Sequence, residues 1–237
     1  TQNVKTIKSI PLLIKDKFLP RKFTLKGEIF IDKKDFDKIN KELNNKEDKK
    51  YSNPRNLAAG SIRQLDPLIA SNRNLKLFIH GISDYEKFSH VKKHDVLIDY
   101  LKVLGFPINK YYRVLKNLDE AIHYFNEMEK TRNSIPYEID GLVYRVNNLT
   151  VYKSLGVTSK APKWAIAYKF KAIEALTRVR DVTFQVGRTG TITPVAELDK
   201  VNISGVTVSR ATLHNFSEIK LKDIHINDYV YVKRAGD

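Results

Sequence analysis

The chain changes its periodicity once, close to residue 172, and that change limits its folds more than any single residue does. Up to Lys171, segments with apolar residues three and four apart alternate with short extended runs. Beyond it, Thr183-Phe184-Gln185-Val186 alternates, Gly187 and Gly190 punctuate, and Val201 to Val208 alternates again around Gly205. Mixed helices and strands are therefore expected over 1–172, and short strands with Gly turns, the pattern of a small β-barrel, over 173–237. A length of 237 residues accommodates one large domain or one and a fraction, since domains run to ~100–200 residues. Neither an internal repeat nor a low-complexity linker interrupts the chain.

Within the first part, a strand is expected at 22–31 and a helix at about 33–44, capped by Asp32, with Asp35 in its first turn and Phe36, Ile39 and Leu43 on one face. A polar loop follows over 44–50, then a short helix at 57–65 and a strand at 75–82. Val96, Leu97, Tyr100, Leu101 and Leu104 lie at helical spacing in 92–104, and Gly105 with Pro107 supplies the stop. Asn117 caps the next helix, whose apolar stripe is Ala121, Ile122, Phe125 and Met128. Strands return at about 139–147 and 164–170.

Composition narrows the class. Hydrophobic residues at 42% and aromatics at 10% support a sizeable core and argue against global disorder. The absence of cysteine excludes disulfides and thiolate metal sites. No run of ~18 apolar residues appears, and Thr1-Gln2-Asn3-Val4-Lys5 is no signal peptide, so a cytoplasmic chain without a membrane partner is expected. The missing initiator Met, and an end at Arg234-Ala235-Gly236-Asp237 that reads as a strand running into a turn, make both ends look cut. The net charge of +15 suggests a polyanionic partner, yet 30 of the 42 basic residues are Lys, as AT-rich coding would produce. Residues 1–172 carry 33 basic and 19 acidic groups, residues 173–237 only 9 and 8. Arg positions are the better guide, because Arg makes bidentate phosphate contacts.

Three charged residues stand in extended apolar segments: Glu28 in Leu25-Lys26-Gly27-Glu28-Ile29-Phe30, Arg145 at the end of Asp140-Gly141-Leu142-Val143-Tyr144-Arg145, and Lys169 in Trp164-Ala165-Ile166-Ala167-Tyr168-Lys169-Phe170. Packing does not require charges there, and burying them unpaired is costly. Charges aimed into a cleft from neighbouring strands are how an enzyme holds a ribose and a phosphate. The apolar residues on both sides of Lys169 predict a central strand, where a Lys needs an anion. In Ser52-Asn53-Pro54-Arg55-Asn56-Leu57-Ala58-Ala59-Gly60-Ser61-Ile62-Arg63-Gln64, a turn leads into small residues flanked by two Arg, which as bare pattern is a capped helix with surface Arg. His90 and His94 are four apart, a metal-like spacing, but with no third ligand nearby they read as solvated surface.

Taken in order, these stretches resemble the bacterial NAD-dependent DNA ligases through essentially the whole chain. Lys26-Gly27-Glu28 looks like that family's third nucleotidyltransferase motif, Glu138-Ile139-Asp140-Gly141-Leu142-Val143 its fourth, and Lys163-Trp164-Ala165-Ile166-Ala167-Tyr168-Lys169-Phe170 its fifth. The Ser52–Gln64 stretch resembles a signature of the NAD-dependent branch. Val186-Gly187-Arg188-Thr189-Gly190 with Thr193-Pro194-Val195-Ala196, and Ala211-Thr212-Leu213-His214-Asn215, resemble the start of its OB-fold domain.

The resemblance implies an α+β fold: an adenylation (nucleotidyltransferase, ATP-grasp-like) domain over 1–172, N-terminally truncated, with antiparallel sheets and flanking helices, then an OB-fold barrel over 173–237, C-terminally incomplete. It implies a monomer that seals nicks in double-stranded DNA, with NAD as adenylyl donor and Mg²⁺ as cofactor. Zn²⁺ is expected only outside this chain. The nucleophilic lysine belongs to a K-x-D-G motif, and no such sequence occurs in the 237 residues. Glu28 would accept hydrogen bonds from the ribose, Arg145 and Lys169 would neutralise the α-phosphate, and Asp140 would orient the lysine or hold Mg²⁺. Arg55 and Arg63 would bind the nicotinamide mononucleotide phosphate or the nick 5′-phosphate, and Arg188 would contact DNA. The sequence departs from the family at Arg145, where Lys is usual, at His80, where Tyr commonly stacks on adenine, and at Lys171, where Pro is frequent. Two rival readings are an ATP-dependent ligase or capping-type nucleotidyltransferase, disfavoured by the Ser52–Gln64 stretch, and a non-catalytic OB-type nucleic-acid-binding module, disfavoured by the small net charge of 173–237.

Overall fold

A computed structural model describes residues 2–45, 50–172, 174–203 and 206–233. Residues 46–49 of the expected polar loop, Gly205 and the last four residues lie outside the described residues. The chain divides into two compact units, Thr1–Phe170 and Lys171–Asp237. In the first, the elements run α1 (Gln2–Lys5), β1 (Leu25–Phe30), α2 (Lys33–Asn45), α3 (Pro54–Ile62), α4 (Pro67–Asn72), β2 (Lys76–Ile82), α5 (His94–Val103), α6 (Leu118–Thr131), β3 (Gly141–Arg145), α7 (Tyr152–Leu155) and β4 (Ala165–Lys169). The second contains β5 (Glu174–Val186), β6 (Ile192–Ile203), β7 (Val206–Thr212), α8 (Phe216–Lys222) and β8 (Tyr229–Lys233). Among the described residues no helix is long and apolar enough to cross a membrane.

The first unit holds two antiparallel strand pairs, β1 with β2 and β3 with β4. Helix α5 turns Leu97, Ile98 and Leu101 inward, and these join Ile79 and Ile82 of β2, Phe88, Phe106, Leu149, Tyr152 and Trp164 in the burial of this unit. Each such side chain removed from water contributes about 1.5–3 kcal/mol. Helix α6 begins at Asn117, whose side chain accepts from the Glu120 N–H, and buries Tyr124, Phe125 and Met128. That face packs with Phe30 and Phe78 of the β1–β2 pair and with Leu142 and Phe170, so one cluster joins both strand pairs. Mixed helices with antiparallel sheets are thus the observed class, as expected.

The second unit is a four-stranded antiparallel sheet in the order β7-β6-β5-β8, with Val179, Ala196, Leu198, Ile203 and Val232 in its core. No barrel closes among the described residues, in line with the incomplete barrel expected. Helices α4 and α8 were not anticipated. Asp66 and Asn215 cap them, and both are so short that no apolar period is visible in sequence.

Candidate active site

The site builds from an irregularity in the β1–β2 ladder. Pairing passes from Lys26 with Gly81 to Gly27 with Ile79, so His80 has no partner opposite it. Such a bulge withdraws one residue from the ladder and is common beside active sites. The His80 carbonyl accepts a hydrogen bond from Arg145 Nη1 at 3.1 Å. The His80 imidazole is held below its ordinary pKa, first by burial and then by the Arg145 charge, while Glu28 acts in the opposite direction. His80 and Arg145, from β2 and β3, are therefore in contact, and Glu28 of β1 acts on the His80 ring through its charge.

Arg145 is seated with unusual completeness. Besides the His80 carbonyl, Nη1 meets His94 Nε2 at 2.9 Å and the Tyr85 hydroxyl at 3.4 Å. The guanidinium lies over the Trp164 ring at 5.1 Å, and Trp164 stacks on Tyr152 with centroids 4.0 Å apart and planes within 9°. A cation over a ring is attracted by its quadrupole, so this stack is a floor for the charge. Gly81 completes the seat: a Cβ there would stand 2.8 Å from Nη1, 3.4 Å from the Tyr85 oxygen and 3.7 Å from His94 Nε2.

His94 was read as solvated surface, and the structure corrects this. It is 6% exposed, at the first residue of α5, whereas His90 is exposed. The sequence did carry the signal, because His94 lies in phase with Leu97, Ile98 and Leu101, the buried stripe of its helix. Its backbone N–H donates to the Asn147 carbonyl at 2.7 Å and the Asp95 N–H to Asn147 Oδ1 at 2.9 Å, which ties the start of α5 to the segment after β3. Burial, followed by the Arg145 charge, lowers the His94 pKa to about 4. Its imidazole is therefore neutral near pH 7. Nε2 also stands 3.2 Å from the His80 carbonyl, so it faces one donor and one acceptor; the shorter contact, 2.9 Å to a guanidinium that only donates, assigns Nε2 as the accepting nitrogen and Nδ1 as the protonated one.

The β3–β4 ribbon carries the remaining charges. Its pairing puts Arg145 opposite Ala165, Val143 opposite Ala167 and Gly141 opposite Lys169. Those six residues share one face. The other face carries Leu142, Tyr144, Ile166 and Tyr168, with Tyr168 4.5 Å from the Phe125 ring of α6 and the Tyr144 hydroxyl donating to the Ala121 carbonyl. Arg145 and Lys169 thus lie at opposite ends of one face, about 13 Å apart along the strands. The Lys169 strand is not central, as its apolar neighbours had suggested. Among the described residues it pairs only with β3, and Ile166 and Tyr168 are 65% and 55% exposed. Apolar residues on its two faces answer to different needs, one face meeting α6 and the other built from small Ala side chains.

Lys169 Nζ donates to Asp140 Oδ2 at 2.8 Å, with the two side chains 68% and 70% exposed. An exposed pair of this kind contributes only about 0–1 kcal/mol, so little is lost when Lys169 turns to another anion. Gly141, next to Asp140, is dictated by close approach: a Cβ there would lie 2.5 Å from the Tyr168 carbonyl oxygen.

The Ser52–Gln64 stretch folds as α3, three residues earlier than expected, because Asn53 caps it (Oδ1 accepts from the Asn56 N–H at 2.7 Å) and Pro54 fits the first turn. Pro54, Leu57, Ala58 and Ser61 are buried, and Arg55 and Arg63 are exposed at opposite ends of the helix. Arg63 Nε donates to the Ala59 carbonyl at 3.0 Å. Arg188 is exposed in the turn joining β5 and β6, where the Gly187 N–H donates to Thr191 and Gly190 adopts φ +81°.

Comparison with known proteins assigns a class to each part. Residues 1–173 match the family model of the NAD-dependent DNA ligase adenylation domain, and residues 176–237 that of the NAD-dependent DNA ligase OB-fold domain. Similar proteins include a DNA ligase of Clostridioides difficile, 45% identical over all of this chain and 35% of that protein, and one of Ehrlichia canis, 46% identical over all of this chain and 33% of that protein. A Bacillus anthracis DNA ligase is 46% identical over the same 237 residues, 35% of its own length. The chain belongs to the NAD-dependent DNA ligase family, and it spans about a third of the length of the curated relatives it matches.

Proposed function

We propose that this chain supplies the nucleotide-binding cleft and part of the DNA grip of a DNA ligase that seals nicks in duplex DNA by adenylyl transfer from NAD. The observation that carries this reading is the convergence of Glu28, His80 and Arg145 at the β1–β2 bulge in a chain of that family. Glu28 binds the ribose hydroxyls, and the half-withdrawn His80 ring offers a stacking face for adenine, with less area than a Tyr. Arg145 and Lys169, at the two ends of one ribbon face, neutralise the adenylyl phosphate as charge develops. Val143, Ala165 and Ala167 between them leave room for the ligand. Asp140 holds Lys169 until phosphate arrives, and then orients the attacking lysine, which must come from a K-x-D-G segment not present in these residues.

Arg55 and Arg63 take the nicotinamide mononucleotide phosphate or the 5′-phosphate of the nick, and Arg188 contacts the DNA backbone. Mg²⁺ fits this chemistry through ligand phosphates and water, with Asp140 the carboxylate on hand. Among the described residues no group of three or more His, Cys, Asp or Glu could hold a metal. The protein acts as a cytoplasmic monomer.

The test uses a ligase in which a K-x-D-G segment is joined to this chain. With NAD labelled in its adenylyl group, Glu28→Ala, Arg145→Gln and Lys169→Met should each strongly slow formation of the covalent adenylate while circular dichroism stays unchanged. A normal rate of adduct formation in any one of them removes that residue from the site.

A further inference from the structure

We propose that His94 is a positioning residue for Arg145: its Nε2 accepts from Nη1 and, with the Gly81 backbone behind, holds the guanidinium in the one orientation that serves the bound nucleotide. The proposal rests on the reading of Arg145 as a phosphate-binding group. Three observations carry it. First, among the described residues the hydrogen bonds from Arg145 leave from Nη1, to the His80 carbonyl, His94 Nε2 and Tyr85 Oη. Among the described residues Nε and Nη2 meet no acceptor, and an Arg edge with two parallel N–H groups matches a phosphate. Second, His94 reaches this position only because α5 is docked by its first turn to Asn147, two residues beyond Arg145 itself. The same short segment thus sets both the Arg and the group that aims it. Third, Gly81 gives the guanidinium the room it occupies, since a Cβ there would stand 2.8 Å from Nη1.

An Arg side chain has many rotamers, and fixing it before the ligand arrives lowers the cost of ordering it on binding. The Trp164 floor limits the guanidinium plane but not its rotation within that plane. The hydrogen bond from Nη1 to a buried, neutral imidazole supplies that remaining constraint. His94 touches no reacting atom; it acts through Arg145, whose Nη1 also bonds the His80 carbonyl that His94 Nε2 adjoins at 3.2 Å.

The experiment compares His94→Leu, which removes the acceptor at similar volume, with His94→Gln, whose Oε1 still accepts, in the ligase joined to a K-x-D-G segment. Loss of a hydrogen bond to a charged group corresponds to about ten- to a hundredfold, and that loss is expected in the adenylylation rate of His94→Leu, with most of it restored in His94→Gln. In the Arg145→Gln background the further change to His94→Leu should add nothing. Gly81→Ala approaches from the other side, displaces only side-chain ends, and should produce the same loss with His94 intact. A readout independent of activity is the nitrogen-15 spectrum of the 237-residue chain, where His94 should show the Nδ1–H tautomer. An Nε2–H tautomer, additive effects of His94 and Arg145, or a normal rate in both His94→Leu and Gly81→Ala while Arg145→Gln is slow, would overturn the positioning role alone. A normal rate in Arg145→Gln would overturn the reading of the site, and this proposal with it.

Discussion

Acid should destabilise the first unit through His94, and the size of the effect follows from its burial. In the folded chain its pKa is lowered from 6.5 to about 4, by burial first and the Arg145 charge second. Because the folded value lies below the unfolded one, the unfolded chain binds the extra proton throughout the window between them. Stability is therefore intact above the unfolded pKa and is lost as the pH falls through that window. At about 1.4 kcal/mol per tenfold change in proton concentration, a single such group removes about 2–3 kcal/mol of stability between pH 7.5 and pH 4.5. The groups around it agree with the direction. Burial, Arg145 and the His80 ring oppose a charge on His94 and outweigh the His80 carbonyl and Asp95, which favour it.

Urea unfolding can be followed by the fluorescence of the one tryptophan, Trp164, which lies directly under Arg145. Because pH also acts on the rest of the chain, the informative quantity is the difference from His94→Gln. That variant keeps the acceptor for Arg145 and cannot take up a proton. The wild type should lose about 2–3 kcal/mol more than His94→Gln on going from pH 7.5 to pH 4.5. Parallel stability curves for the two proteins, or an imidazole resonance of His94 titrating near 6.5, would refute the assignment of a buried, neutral acceptor.

The 237-residue chain incubated with adenylyl-labelled NAD should form no covalent AMP, because no K-x-D-G lysine is present; a stoichiometric adduct on any of its lysines would contradict this. Arg55→Lys and Arg63→Lys, made in the joined ligase, should lower nick sealing well beyond their effect on stability, since Lys cannot reproduce a bidentate phosphate contact. Sealing of a preadenylylated nick separates DNA contacts from NAD contacts, and unchanged rates in both assays would leave these two as surface residues of α3. Gly141→Ala should cost about 1–3 kcal/mol or more by overpacking, because its Cβ would stand 2.5 Å from backbone of β4, which does not swing aside as a side chain does. An unchanged melting temperature would show that the β3–β4 ribbon shifts without cost.

What the sequence determined by itself was whatever is encoded over a few residues. Period and caps are local, so β1, α2, β2, α5, α6 and the ribbon strands were legible from spacing, and so was the change to alternating strands after Lys171. The unusual placement of Glu28, Arg145 and Lys169 was legible too, because a charge inside an apolar run needs a reason that packing cannot supply. The order of the motifs then pointed to the family. The surroundings of those charges were decided only in three dimensions. Arg145 is held by His80, Tyr85 and His94, which lie 65, 60 and 51 residues away, so no window along the chain contains the site. The bulge that releases the His80 carbonyl depends on how β1 and β2, far apart in sequence, fall into register. Whether β4 is a central strand or half of a ribbon likewise depends on what pairs with it, and the same five residues are compatible with both. The His94 imidazole is neutral for the same reason: long-range packing closes over it, and only a closed interior gives an unprotonated ring and a guanidinium cause to meet.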